Sequence, residues 1–241
     1  DHDAAVVKMA SPPDLERPGA VESVDDIYEA LSMNGLTEKT ILDPAFGGWS
    51  ADKTLADDRE TFHRLREFRA YGRPLLVSIN RKNFLREVAG RSTDEALPVS
   101  LAATAMAVER GAHVLRTHDV RETRDAALIG REFARARVRE PGIEELDVTT
   151  EREAARHLGT AGTDPDLAAA GVTRWFRLPE LGDAAEPLAA AVADTEGVFL
   201  AGNAPTLLFG TPRGFESLNG SIPGESARLS AVLSKILDDI K

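Results

Sequence analysis

The chain has 241 residues, 42% hydrophobic and 29% charged, which is a globular balance rather than a disordered one. A formal charge of -11 argues against a nucleic-acid or acidic-membrane binder, because phosphate-rich surfaces select basic partners. The absence of cysteine removes disulfide scaffolds, thiolate zinc sites, iron–sulfur clusters and cysteine nucleophiles together.

In chain order, the first apolar run is Ala5 to Ala10, which reads as a buried strand closed by Ser11-Pro12-Pro13. Val24, Ile27 and Leu31 then fall on one helical face, with Ser23 as the cap and Gly35 as the stop. The same unit recurs. Thr40 to Asp43 is a strand, Gly47-Gly48-Trp49-Ser50 a loop, and Phe62, Leu65 and Phe68 the apolar face of a helix ending near Gly72. A third unit runs from the strand Pro74–Ile79 through Asn80-Arg81-Lys82 to a helix from Leu97 to Arg110. The fourth is the strand from His113 followed by a helix from Glu122 to about Arg137.

These strands are continuously apolar, the mark of parallel strands covered on both faces. Consecutive strand–helix units imply right-handed crossovers and one parallel sheet. Residues 1–141 are therefore expected to form four strand–helix units, either half of an eight-stranded barrel or a small open sheet. A boundary is expected near Arg139-Glu140-Pro141-Gly142. Residues 142–241 read as a small mixed α/β module, with helices at 151–158, 184–194 and 226–241 and strands at Thr173–Leu178 and Val198–Leu200. Gly202-Asn203-Ala204-Pro205 and Gly220-Ser221 read as turns, since no phosphate-loop lysine follows them. No apolar run reaches the ~18–20 residues of a membrane helix and no signal peptide opens the chain, so a cytoplasmic setting is expected. The chain opens on Asp1 rather than methionine, and the expectation is that it continues a longer protein.

Polar residues at the ends of parallel strands gather on one rim, where α/β proteins bind ligands. Here that rim would hold Asp43, then Asn80, Arg81, Lys82 and Asn83, then Arg116, His118 and Asp119. A carboxylate in a partly dry site suits two adjacent N–H donors. Lys82 is a point charge for a carbonyl or ring nitrogen, and Arg116 with His118 suits phosphate oxygens. The set reads as a pocket for a heterocycle with an anionic tail.

Three motifs in register give this rim a resemblance. Ile41 to Gly47 resembles the Asp-Pro-Gly-x-Gly strand end of dihydropteroate synthases, in the pterin-binding barrel family. Pro74 to Lys82 resembles that family's strand ending Ser-Arg-Lys, and Ser100-Leu101-Ala102-Ala103 followed by Gly111 to Val120 resembles its last helix and strand, ending Arg-x-His-Asp. The resemblance covers residues 40–137 well and 4–39 loosely. It implies the C-terminal (βα)4 half of a TIM-type barrel, followed by an uncovered module. It also implies a transferase of folate biosynthesis that joins a pterin methyl diphosphate to p-aminobenzoate and releases pyrophosphate. By that resemblance Asp43 and Lys82 hold the pterin, Arg116 and His118 the diphosphate, and Arg81 and Asn83 lie near the aminobenzoate. Lys82, Arg116 and His118 are then the catalytic set. Mg2+ would arrive on the diphosphate, as a hard cation with oxygen ligands.

Departures from the family pattern are Ala45 for its Gly, Ser50 for a lysine that Lys53 would replace, and Asn80 and Asn83 for small hydroxyls. Lys8 to Pro12 also lacks the family's Met-His and Gly. The first four barrel strands are not in this chain, so the missing half is an expected partner and the segment alone is expected to be inactive. A homodimer is one assembly open to it. Two other enzyme-class and binding-class readings stand beside this one: a pterin-dependent methyltransferase domain and a non-catalytic pterin-binding paralogue. The plainest alternative is a half-barrel scaffold. Elsewhere, His63 is expected to be solvated or packing on its helix, His157 at the surface, and Trp175 with Phe176 in the core of the tail module. Asp25, Asp26, Asp57 and Asp58 read as helix N-terminal charges. No pair of histidines has metal-ligand spacing.

Overall fold

The computed structural model describes residues 3–10, 21, 23–47, 53–141, 143–178, 180–202, 206–221 and 227–240. The turn at Ser11-Pro12-Pro13, the residues Gly48 to Ser50, and Asn203 to Pro205 lie outside them. The protein is mixed α/β and forms two compact units, Asp1–Asp147 and Val148–Lys241.

In the first unit, strands alternate with helices. Strand β1 (Val6–Met9) leads to α1 (Val24–Ser32), β2 (Thr40–Asp43), α2 (Leu55–His63) and β3 (Leu76–Val77). Two helices follow, α3 (Asn83–Ala89) and α4 (Leu97–Glu109), then β4 (Val114–Leu115) and α5 (Val120–Glu132). Neighbouring strands among β1 to β4 run parallel. β1 pairs with β2 from Val6↔Thr40 to Met9↔Asp43, Leu42 bridges to Leu75, and β3 pairs with β4 through Leu76↔Val114 and Val77↔Leu115. The spatial order of these four strands thus follows the chain order.

Local chemistry sets the boundaries. Ser23 accepts the Asp26 N–H at the start of α1, and Thr54 and Asp57 form a reciprocal capping box on α2. A turn of tighter helix, Leu65–Tyr71, continues α2 and stops at Gly72 in the left-handed conformation. The core beneath these helices holds Ile27, Leu31, Leu42, Leu65, Phe68, Leu75 and Ile79, all essentially buried.

β1 departs from the buried strand expected at residues 4–10. Val6 is 59% exposed and Val7 49%, so both faces of the strand meet solvent. The reason is its position: among the described residues β1 pairs along one edge, with β2, and nothing covers the other.

A two-stranded hairpin, β5 (Arg139–Glu140) with β6 (Ile143–Glu144), occupies the stretch where a boundary is expected, and it belongs to the first unit. Asp147, the last residue of the first unit, is tied back into it. Its carboxylate is almost buried and takes one hydrogen bond from Arg66 at 2.8 Å and one from Arg135 at 2.9 Å. Those two guanidinium groups hold its carboxyl below the usual aspartate range against the opposing effect of burial.

The second unit carries α6 (Glu151–Thr160), β7 (Arg174–Leu178), α7 (Ala185–Ala193), β8 (Val198–Ala201), β9 (Thr206–Gly210), α8 (Pro212–Ser221) and α9 (Ala227–Ile240). Its sheet is antiparallel in the order β7-β9-β8 and covers a core of Leu188, Leu208, Phe215, Leu218 and Leu229. Gly220 and Ser221 end α8 rather than forming a turn. Trp175 also departs from expectation. It is 63% exposed and stacks on Phe209 at 3.9 Å, which in turn stacks on Phe199, while Phe176 faces the core against Phe215. Successive strand residues point to opposite faces, so Trp175 and Phe176 cannot share one.

Candidate active site

The rim is built from the ends of β2, β3 and β4. Asp43 closes β2 and is buried. Its Oδ1 accepts the Ala45 N–H at 2.8 Å, which folds the chain back over the strand end. Ala45 sits at φ +60°, in the left-handed region that costs a side-chain-bearing residue ~1–2 kcal/mol. The glycine of the Asp-Pro-Gly pattern therefore has a conformational reason at this position, and Ala45 carries strain there. Ala45→Gly is expected to be neutral or stabilising by up to ~1 kcal/mol, since relief of strain exceeds the ~0.5–1 kcal/mol entropic cost of glycine. Denaturant unfolding of the two forms checks this; a clear loss of stability would mean the Ala45 methyl packs usefully in its buried place.

Gly47 follows at φ +97°, and a Cβ built there would lie 2.5 Å from Lys82 Nζ. The lysine ammonium thus lies directly over the Gly47 backbone. Lys82 stands at the N-terminus of α3, half-buried, and burial draws its ammonium below the usual lysine range. Asp58 and Asp43 act against that shift, while Arg116 and Lys53 reinforce it. For Asp43 burial acts in the other direction and pushes the carboxyl above the usual aspartate range; the Ala45 N–H, Arg116, Lys82 and Lys53 oppose it. Asp43, Lys82 and Arg116 are therefore one electrostatic neighbourhood, with the Lys53–Asp58 pair as its inner wall.

Arg116 and His118 lie past the end of β4 and are exposed. Arg81 is placed differently. Its guanidinium donates twice to Asp119, at 2.9 and 3.1 Å, and to the carbonyls of Thr93 and Asp94. Asn80 donates to the same carboxylate at 3.0 Å, and the two hold the Asp119 carboxyl down at about 2. Arg81 also occupies the left-handed region at φ +55°, fixed by its N–H donating to Ser100 Oγ at 2.8 Å. Its donors are spent on tying β3 to β4, so it braces the rim. Asn83, on the first turn of α3, is exposed and accepts from Arg86.

Three contributors have roles that sequence reasoning does not assign. Asp119, expected on the rim, and Ser100 brace Arg81. The third is Asp58, which lies with Asp57 in the first turn of α2, as its reading as a helix N-terminal charge expects, and has a second role there. The Asp58 carboxylate is buried, 3.0 Å from Lys53 Nζ, and accepts the Gly47 N–H. His63 is exposed and His157 half-buried. Among the described residues no cluster of three metal-ligating side chains occurs and no helix is long and apolar enough to cross a membrane.

Part of the first unit is similar to known proteins. Residues 19–118 match the family model described as pterin binding enzyme. The dihydropteroate synthase of Escherichia coli strain K12 is 39% identical over 89 residues, 37% of this chain and 30% of that protein. A type-1 dihydropteroate synthase from Escherichia coli is 34% identical over 140 residues, 55% of this chain and 50% of that protein. A Coxiella burnetii dihydropteroate synthase solved in complex with pteroic acid has a TM-score of 0.46 and 26% identity, covering 55% of this chain and 53% of that one. The chain spans half or less of the length of these curated relatives. Over the matched residues, which hold the ends of β2, β3 and β4, the protein is dihydropteroate synthase-like.

Proposed function

We propose that the first unit is the C-terminal half of a dihydropteroate synthase barrel and holds the pterin end of that enzyme's site. The observation that carries this reading is the buried carboxylate of Asp43 in one electrostatic neighbourhood with Lys82 and Arg116. In it, Asp43 accepts the amino and ring N–H edge of a pterin methyl diphosphate, and Lys82 faces the pterin carbonyl. Arg116 and His118, exposed at the rim, take the diphosphate. The reaction breaks the bond between the pterin methylene carbon and the diphosphate oxygen. The p-aminobenzoate nitrogen then bonds to that carbon and releases a proton to water. Positive charge develops on the pterin methylene as pyrophosphate leaves, so the site must stabilise separated charges by fixed dipoles and ions. Mg2+ enters as part of the substrate, on diphosphate oxygens; the described residues offer it no cluster of their own.

The upstream strands of the barrel would complete the site, and turnover by the present segment alone is not expected. One observation favours a second reading, a pterin-binding protein without turnover. Asn83, on the aminobenzoate side in the family reading, is engaged by Arg86. The experiment that separates them is calorimetric titration of the longest natural chain with a pterin methyl diphosphate and Mg2+, followed by addition of p-aminobenzoate. Binding with pyrophosphate release supports the synthase, binding alone the second reading, and no binding by a folded protein defeats both.

The same titration has a predicted pH profile. Binding needs Asp43 ionised and Lys82 protonated. As pH falls, affinity is lost through the Asp43 pKa, which burial places above the ordinary 3.8. As pH rises, it is lost through the Lys82 pKa, which burial places below the ordinary 10.5. The window is thus narrowed from both sides, after correction for the ligand's own titration. An acid limb at or below 3.8 would show that burial does not raise the Asp43 carboxyl.

A further inference from the structure

The Lys53–Asp58 pair has no role in the reading above. Both side chains are almost fully removed from solvent, at 0% and 3% exposure, with Nζ and Oδ1 3.0 Å apart. Burying such a pair is costly, and a well-packed apolar pair of similar volume commonly serves stability equally well or better. Its hydrogen bonds point to a different use. Lys53 Nζ donates to the Ala45 carbonyl at 2.9 Å, and Asp58 accepts the Gly47 N–H with both oxygens at 3.0 and 3.1 Å. The two ends of the pair therefore grip alternate residues of the turn that follows Asp43. On the outer side of that turn, Lys82 Nζ lies against the place where a Gly47 Cβ would stand.

We infer that Asp58 and Lys53 are positioning residues, which fix the Asp43–Gly47 turn from below and set the charge and place of Lys82 above it. Asp58 lies between two ammonium groups, bonded directly to Lys53 and acting across the Gly47 peptide on Lys82. The groups that act on Lys82 are Asp58 on α2, Lys53 just before α2, Asp43 at the end of β2 and Arg116 beyond β4. Of the two carboxylates, Asp58 has the larger effect. The inference deepens the proposed pterin site and, for its consequence on ligand binding, rests on that reading.

The arrangement has a signature that a purely structural pair lacks. Asp58→Asn keeps shape but removes an anion near Lys82; Lys53→Met keeps bulk but removes a cation near it. The Lys82 titration should therefore move down in pH in the first variant and up in the second. The double variant should fall between them, and it should fold most readily because it leaves no unpaired buried charge. The test is carbon-13 NMR titration of the lysine side chains in the longest natural chain, with the Lys82 signal assigned by its loss in Lys82→Met. This chain contributes six lysines to that spectrum.

Opposite displacements of at least half a pH unit support the inference. Displacements in the same direction, or none in folded protein, overturn it. Should a single variant fail to fold, the double variant against wild type with Asp43→Asn added keeps the comparison open. The pterin methyl diphosphate titration is run on the same samples. At pH 9, Asp58→Asn should bind more weakly than wild type, by up to about threefold for each half unit of Lys82 displacement, and the deficit should shrink at pH 6.5. If wild type binds no pterin, the proposed function falls while the lysine titration still decides the positioning claim. If wild type binds and Asp58→Asn binds equally at both pH values, the positioning claim falls while the function stands.

Discussion

Asp43→Asn is expected to weaken binding of a pterin methyl diphosphate by ~100-fold or more in the longest natural chain while leaving its fold intact. A buried carboxylate that accepts two N–H donors makes charge-assisted bonds, each worth ~1.5–3 kcal/mol. Asparagine keeps one acceptor and turns the other into a donor facing a donor, so one bond is replaced by a repulsion. A hundredfold corresponds to ~2.7 kcal/mol, at the low end of that loss. The fold should survive because the contact that shapes the turn is the Ala45 N–H on Oδ1, which an amide oxygen can accept equally. Removing a carboxylate that burial already disfavours should leave thermal stability equal or slightly higher. Calorimetric titration beside a thermal melt separates the two effects. Unchanged binding in a folded variant would remove Asp43 from the site and leave the rim as scaffold.

Much of this rim is legible in the amino-acid sequence, for a physical reason. Parallel strands place their last residues on one side, so Asp43, Lys82, Arg116 and His118 stand out as strand-end positions. What lies beyond reach depends on contacts made across the chain. Asp58 follows Asp57 in the first turn of a helix, and nothing local distinguishes the solvent-facing capping residue from its buried neighbour. The distinction comes from a turn eleven residues upstream whose Gly47 N–H needs an acceptor. Arg81 is legible as a rim cation but not as a brace, because its partner Asp119 stands on another strand end and its Ser100 contact on another helix.

Two features of the second unit follow from patterns already in its sequence. The strand period places Trp175 and Phe176 on opposite faces, so one of them has to leave the core. β9 is not among the expected strands, although Thr206–Gly210 is an apolar run flanked by Pro205 and Pro212, the punctuation that elsewhere marks strands correctly. β1 illustrates the opposite limit. Its apolar sequence predicts coverage on both faces, whereas Val6 and Val7 are exposed and, among the described residues, the strand pairs along one edge only.

Phe46→Ala should be the most damaging single core substitution near the site, costing ~3–5 kcal/mol. Phe46 is 2% exposed and lies between Ala45 and Gly47, so it is the apolar anchor of the same turn that carries the Asp43 contact. Its ring stacks on Phe84 of α3 at 5.8 Å and meets Phe62 of α2 edge-on at 6.2 Å, and those two rings are 6.0 Å apart. Each such pair adds ~0.5–1.5 kcal/mol beyond the area it buries. The cluster is closed on one side by Arg110, whose guanidinium sits 4.7 Å from the Phe62 ring centre and donates to the Phe62 carbonyl. Three elements converge on one side chain, so the hole left by alanine cannot collapse without moving a helix. The melting transition of the first unit should fall by ~6–20 °C, at ~2–4 °C per kcal/mol. Phe46→Leu should recover more than half of that, because it refills most of the volume without the ring geometry. A fall of less than ~3 °C in Phe46→Ala would show that α2 and α3 can close over the space the ring leaves.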